Sequence, residues 1–187
     1  VVVLGFLILL DFQSSFSDGV FDPANGSHVY SFDWIDISDV LLVQFSTYID
    51  SIAVLMITVV SIVTLMVMVY SVGYMQGEQR YGWYFALLSG FSAAMLMLVT
   101  SGNLLLLYFS WEVVGLASYL LIGFYWERQV AAEAAKKAFI TTRIGDVGLL
   151  IGIILLWRGA GSFDIQEIIT IAEEGGFGEF YLTVAML

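Results

Sequence analysis

Glu112 interrupts the run FSWEVVGLASYLLIGFYW (residues 109–126), which is otherwise apolar, small or aromatic and holds no cation. Further along, KKAFITTRIGDVGLLIGI (residues 136–153) sets Arg143 and Asp146 three apart inside a second apolar stretch. Carboxylates in such surroundings can do one kind of chemistry well, which is to take up and release protons. Burial favours the protonated form and a nearby cation favours the charged form, so a partner that moves or titrates would change proton occupancy. Arg143 and Asp146 can pair on one helix face. With Lys136 on the same stripe, they would form a polar track entering from one end of the helix.

The elements that position these groups follow from composition. Of 187 residues, 60% are hydrophobic and 12% charged, about half the charged fraction of a soluble domain. Several apolar stretches match the ~20 helical residues needed to cross a hydrocarbon core of ~30 Å. The sequence therefore predicts an all-α, polytopic transmembrane bundle of about five spans plus a truncated sixth, with a short extracytoplasmic hairpin-like loop. Residues 1–10 read as the tail of a first helix. Residues 11–47 form an acidic extracytoplasmic loop with six aspartates and no Lys or Arg. Its turn signal is Pro23-Ala24-Asn25-Gly26, and a short extended ribbon follows over residues 29–35. The bundle occupies 48–187, with spans at 48–70, 83–100, 104–126 and 139–157 and a further one starting near Phe180.

Within the bundle, Ser101-Gly102-Asn103 is a tight turn, and residues 127–137 form a charged amphipathic stretch. Ile165, Ile168, Ile169 and Ala172 make an apolar stripe at helical spacing, closed by Gly175-Gly176. Gly90 and Ala94, and Gly148 and Gly152, permit close helix contact. The chain begins and ends inside apolar runs, so a piece of a longer protein is expected. Five of its six cations, Arg80, Arg128, Lys136, Lys137 and Arg143, fall at same-side links. The positive-inside rule puts those links in the cytoplasm or its mitochondrial equivalent.

At 1.5 Å per residue, Glu112 lies ~12 Å from the outer end of its helix and Asp146 ~10 Å from Phe139. An ionisable group at that depth costs at least ~2.5 kcal/mol and normally faces the bundle interior or a water cavity. Glu112 shares a face with Tyr108, Gly115 and Tyr119, which offers hydroxyls and, at Gly115, room for a water. A protonatable relay is the favoured reading of Glu112. A neutral glutamic acid bonded to a neighbouring helix is the alternative. Arg143 can equally snorkel and hold Asp146 as a folding staple. Asp50 reads as an interfacial anchor, the Tyr and Trp residues at span ends as belt residues, and His28 as a solvated loop residue.

The stretches SWEVVGLASYLLIGFYW, KKAFITTRIGDVGLLIGI, GSFDI and DSIAVLMITVVSIVTLMVMVYSVGYM together resemble the antiporter-like membrane subunit of proton-pumping NADH:quinone oxidoreductase, respiratory complex I. This is the family of bacterial chain L and mitochondrial chain 5. The resemblance implies that Glu112 corresponds to the family's essential membrane glutamate, which pairs with a lysine on a later broken helix, and that Arg143 and Asp146 correspond to its Arg-x-x-Asp helix. Met68 stands where the family's Val-His-x-Tyr-Ser pattern usually has histidine, so no proton role is carried to that position.

The resemblance further implies a proton-translocating, non-redox subunit, with NADH, FMN, iron–sulfur clusters and quinone held by partner subunits and no cofactor in this chain. Its partners would be other complex I membrane subunits, the lipid bilayer and protons. Its place would be the bacterial inner membrane or, alternatively, the mitochondrial inner membrane. The family is similar to the large subunits of Na+/H+ antiporters and to membrane-bound hydrogenase subunits, which stand as alternatives. The absence of cysteine excludes disulfides, thiolate metal sites and cysteine-ligated clusters within the chain, and a single histidine excludes a histidine metal cluster. The formal charge of −11 argues against nucleic acid.

Overall fold

The computed structural model describes residues 28–37 and 41–176. They form a two-stranded hairpin, β1 (His28–Ile37) and β2 (Leu41–Ile49), followed by helices α1 (Ser51–Tyr74), α2 (Tyr81–Val99), α3 (Leu104–Ile122), α4 (Gln129–Ala160) and α5 (Ile165–Glu173). Four of these, α1 to α4, are long and apolar enough to cross a membrane. They pack in chain order, α1 on α2, α2 on α3 and α3 on α4. Short links alternate between two ends of the array. One end carries the hairpin and the other carries Arg80 and Arg128. The expected first span, the Asn25-Gly26 turn and the span near Phe180 lie outside the described residues.

The strands pair antiparallel, from His28 opposite Ile49 to Ile37 opposite Leu41, with a register irregularity between Asp33 and Ile35. The ribbon is therefore longer than expected. Its two strands flank residues 38–40, and His28 belongs to a strand rather than a loop. Strand β2 also takes Tyr48 and Ile49, which the sequence pattern assigned to the first described span. The helix starts instead at Ser51, because Asp50 stops the strand and caps the helix. Its backbone is extended and its Oδ1 accepts from the Ala53 N–H at 2.6 Å. Asp50 is thus a helix cap, which gives the expected anchor a specific bonding role. Asp50→Ala should cost about 1 kcal/mol, read as a lower thermal midpoint of the purified full-length protein.

The turn at Ser101-Gly102-Asn103 is stitched into a backbone seam on the hairpin side. Tyr48 N–H donates to the Thr100 carbonyl at 2.9 Å and Gly102 N–H to the Ser46 carbonyl at 2.9 Å. On its other side, Leu104 N–H donates to Phe163 at 2.9 Å and Ile165 N–H to Gly102 at 3.0 Å. Three links that are distant in sequence therefore close each other's backbone hydrogen bonds. That is what holds the ends of α1, α2, α3 and α4 in register. Gly102 permits the approach, since a Cβ there would sit 2.9 Å from Ser46 Oγ and 3.3 Å from Tyr48 Cβ. Gly102→Val should destabilise by about 1–3 kcal/mol through overpacking. Faster amide hydrogen exchange at Tyr48 and Ile165 would show it, and unchanged protection would sink the seam as a structural tie.

Between α1 and α2 the contact is partly polar. Thr64 and Ser92 hydroxyls lie 3.2 Å apart, and Ser71 and Tyr84 hydroxyls 3.1 Å apart. Small hydroxyl residues let the backbones approach and satisfy one another out of water. Ala94 is buried, but a Cβ on Gly90 or Gly148 would meet open space, so these glycines do not make the close contacts expected of them.

At the other end, helix α3 stops at Ile122 rather than near Trp126. The charged stretch expected to precede the last described span is continuous with it. One helix of 32 residues spans ~48 Å, well beyond a hydrocarbon core of ~30 Å. No Gly or Pro lies between Gln129 and Arg143 to break it, and Ala, Glu and Lys there are strong helix formers. Arg80 clasps the two links at this end. It donates to the Phe124 carbonyl at 3.2 Å, pairs with Glu127 and lies 5.2 Å over the Trp126 ring. Helix α5 begins at an Asp164 cap, whose Oδ1 accepts from Gln166 N–H at 2.9 Å and Glu167 N–H at 3.2 Å. Its stripe buries Ile168, and Gly175 ends it with a positive φ of 74°.

Candidate functional site

Helices α3 and α4 run antiparallel and bring Glu112, Arg143 and Asp146 together. Arg143 is the hub. Its Nη1 pairs with Glu112 Oε2 and lies 3.3 Å from Asp146 Oδ2, while Nη2 donates to the Glu112 backbone carbonyl at 3.3 Å. The other Asp146 oxygen, Oδ1, accepts from the Trp111 indole N–H at 2.8 Å. The i,i+3 pairing expected of Arg143 and Asp146 is present. Glu112 lacks a cation within its own run but has one from the next helix.

The two carboxylates are held differently. Asp146 is 8% exposed at its side chain and both its oxygens are engaged. Glu112 is 25% exposed at its side chain and has the Arg143 guanidinium as its ion-pair partner. Asp146 is therefore held at both oxygens and nearly out of reach of solvent, while Glu112 is the more accessible of the two.

The surroundings differ from the sequence expectation at two points. The space beside Gly115 is shared: Arg143 Nη2 lies 3.7 Å from where a Cβ would stand, in ordinary van der Waals contact, and the glycine also lines an open cleft. The track expected from Lys136 to Arg143 is interrupted by Phe139, which lies in the same stripe with its ring centroid 4.5 Å from the guanidinium. Tyr119 leans on that ring, the centroids 5.1 Å apart. Neither Tyr119 nor Tyr108 bonds to Glu112 among the described residues.

The sequence reading missed Trp111. It stands immediately before Glu112, and an indole N–H inside an apolar run needs an acceptor. That adjacency was the available signal. A cleft of about 760 Å³ opens along α3 and α4 beside the site, with Trp111, Gly115, Ser118, Thr142, Gly145 and Asp146 on its wall. Two carboxylates sharing one guanidinium carry one negative charge more than they neutralise when both are ionised. One added proton balances them.

The fold has counterparts in known proteins. Residues 101–187 match the transmembrane family of NADH:quinone oxidoreductase and Mrp antiporters, and residues 34–85 match the N-terminus of chain 5 of NADH-ubiquinone oxidoreductase (complex I). Similar curated proteins include the chloroplastic NAD(P)H-quinone oxidoreductase subunit 5 of Acorus calamus var. americanus, 41% identical over 167 residues. The same subunit of Anthoceros angustus is 46% identical over 144 residues. These alignments cover 88% and 77% of this chain but 23% and 20% of the relatives, so the chain spans about a quarter of their length or less. Among solved structures, the Mrp complex from Dietzia sp. DQ12-45-1b superposes with a TM-score of 0.76 at 24% identity, covering 86% of this chain and 17% of that one. The archaeal membrane-bound sulfane sulfur reductase gives 0.72 at 18% identity, covering 98% and 36%. The two structures share the fold; the sequence matches run through the hairpin, the spans and the Glu112–Arg143–Asp146 segment alike. The chain belongs to the chain 5 family of antiporter-like membrane subunits of NADH:quinone oxidoreductase.

Proposed function

We propose that this chain carries part of a proton path in a redox-driven membrane complex, with Glu112 as the proton-exchanging group and Arg143 and Asp146 as the pair that sets its charge state. The observation that carries the reading is the single guanidinium shared between two intramembrane carboxylates, one buried with both oxygens engaged and one more exposed. With Arg143 against Glu112, the site favours the carboxylate. When Arg143 withdraws toward Asp146, the site favours a protonated Glu112. Moving one charge against a membrane potential costs about 2.3 kcal/mol per 100 mV, so the energy is coupled in from outside. NADH, FMN, iron–sulfur clusters and quinone belong, in this reading, to partner subunits. This chain does no redox chemistry of its own.

The partners are other membrane subunits of the complex, and the lysine that completes the charge couple is supplied by a later helix of the parent protein. The membrane is an energy-transducing one. The bacterial inner membrane is the sequence reading, while the curated relatives above are chloroplastic. The shared fold with the Mrp complex keeps an antiporter as the second reading, in which the same glutamate exchanges protons against another cation. The test is Glu112→Gln in the full-length parent within its assembled complex, with NADH oxidation and proton uptake into vesicles measured together.

A further inference from the structure

A second concavity, of about 510 Å³, lies at the basic end of the array, away from the carboxylates. Three helices and one link close around it: the first turn of α2 with Trp83, the end of α3 with Leu120, the link residues Phe124 and Trp126, and α4 with Ala135 and Lys136. Trp83 and Trp126 are 55% and 64% exposed, which fits indoles that stand at the headgroup level of a bilayer. Trp126 is fixed from the protein side by Arg80, which lies over its ring and holds the nearby Glu127. The other acid on this part of α4, Glu133, is hydrogen-bonded by Gln129 at 2.8 Å. Lys136 has no ion-pair partner among the described residues, and neither has Lys137.

An unneutralised ammonium therefore sits at the rim of an apolar groove, at interfacial depth, in a chain whose formal charge is −11. We propose that this groove binds an anionic phospholipid of the basic-side leaflet, with its phosphate against the Lys136 ammonium and an acyl chain laid along Leu120 between the two tryptophans. Charge complementarity selects the lipid. A zwitterionic headgroup would bring its own cation to Lys136, and a free phosphate would gain nothing from the groove. A lipid seated there would tie α2, α3 and α4 together at the end opposite the hairpin seam, where the described links meet through the contacts of Arg80 and through the Tyr125 hydroxyl, which donates to Glu78 at 3.2 Å.

The test uses the full-length subunit in its assembled complex, embedded in membranes doped with a diazirine-tailed phosphatidylglycerol or its phosphatidylcholine counterpart, followed by peptide mapping. Labelling of the peptide spanning residues 119–136 is expected with the anionic probe and not with the zwitterionic one. Lys136→Gln should lower it about fivefold, the loss expected for one cation near a membrane surface. Lys136→Arg should restore it. Lys137→Gln, whose side chain does not line the groove, should leave it unchanged, and this separates the site from general attraction to a basic surface. Equal labelling by both probes, undiminished labelling in Lys136→Gln, or loss of labelling on adding inorganic phosphate would each overturn the proposal. Lys136 is exposed and unpaired, so its substitution leaves the packing intact. A matching thermal midpoint for the variant confirms that the change in labelling is local.

Discussion

Glu112→Gln, in the full-length subunit within its complex, is expected to lower proton uptake roughly tenfold or more while the protein still assembles. The size follows from what a positioned acid–base group contributes, typically about 10²–10⁴-fold, reduced to allow for other paths in the proposed multi-subunit pump. Glutamine preserves the volume and can still accept from Arg143, so α3 and α4 should stay packed. What disappears is the ability to hold a proton and to carry a charge. If NADH oxidation continues with reduced uptake, or both fall in an intact complex, the relay stands. If both are unchanged, Glu112 is a packing group bonded to Arg143, and proton movement in the parent lies elsewhere. Readouts of oxidation and uptake together are needed, because a coupled pump that cannot translocate can also stop turning over.

Arg143→Leu should have the largest effect on stability, about 3–5 kcal/mol. The substitution removes the only cation reaching Asp146 among the described residues and leaves a carboxylate that is 8% exposed with the Trp111 indole as its remaining partner. It also strips Glu112 of its counter-charge. A lower thermal midpoint of the solubilised complex, or loss of the subunit from it, would report the damage. Adding Asp146→Leu should recover most of the stability, since replacing a whole buried pair by apolar groups is often neutral or better. It should not recover pumping. A single Arg143→Leu variant that melts like the wild type would show that the guanidinium is solvated and that the shared-cation geometry does not hold in the membrane.

The recovered double variant would separate two contributions that the sequence left open. Arg143 and Asp146 could be a folding staple or part of a proton track, and the fold makes the staple visible through Trp111 and the engaged Asp146 oxygens. The staple and the relay are not exclusive. In the proposed function, Asp146 holds the guanidinium within reach of Glu112, so that a small movement of Arg143 would change the charge seen by Glu112. Asp146→Asn is informative for this reason, since it weakens the hold on Arg143 while leaving a hydrogen-bond acceptor for Trp111.

Much of this protein was legible in its residues alone. Apolar runs of membrane length, the placement of six cations and the isolated acids predicted a polytopic helical bundle, its alternation and the residues of interest. That works because lipid leaves a spanning backbone few ways to satisfy its hydrogen bonds, so hydropathy and length report helices directly. The boundaries were less legible. Tyr48 and Ile49 are apolar enough for a span, yet the backbone partners offered by β1 and by the turn at residues 100–103 hold them in a strand. The long α4 looked like two elements, because polarity changes at Lys137 while helix propensity does not.

The site itself needed the tertiary structure. The sequence named Glu112, Arg143 and Asp146, but it paired only the last two, since i,i+3 spacing is visible along one helix and contacts between helices are not. The antiparallel packing of α3 on α4 decided that Glu112 shares that cation. It also decided that Trp111 fixes Asp146 and that Phe139 closes the stripe from Lys136. Residue type and depth in the membrane are properties of the chain. Which charge faces which is decided by how neighbouring helices rotate and slide against each other, and that is settled by side-chain volume summed over the whole contact.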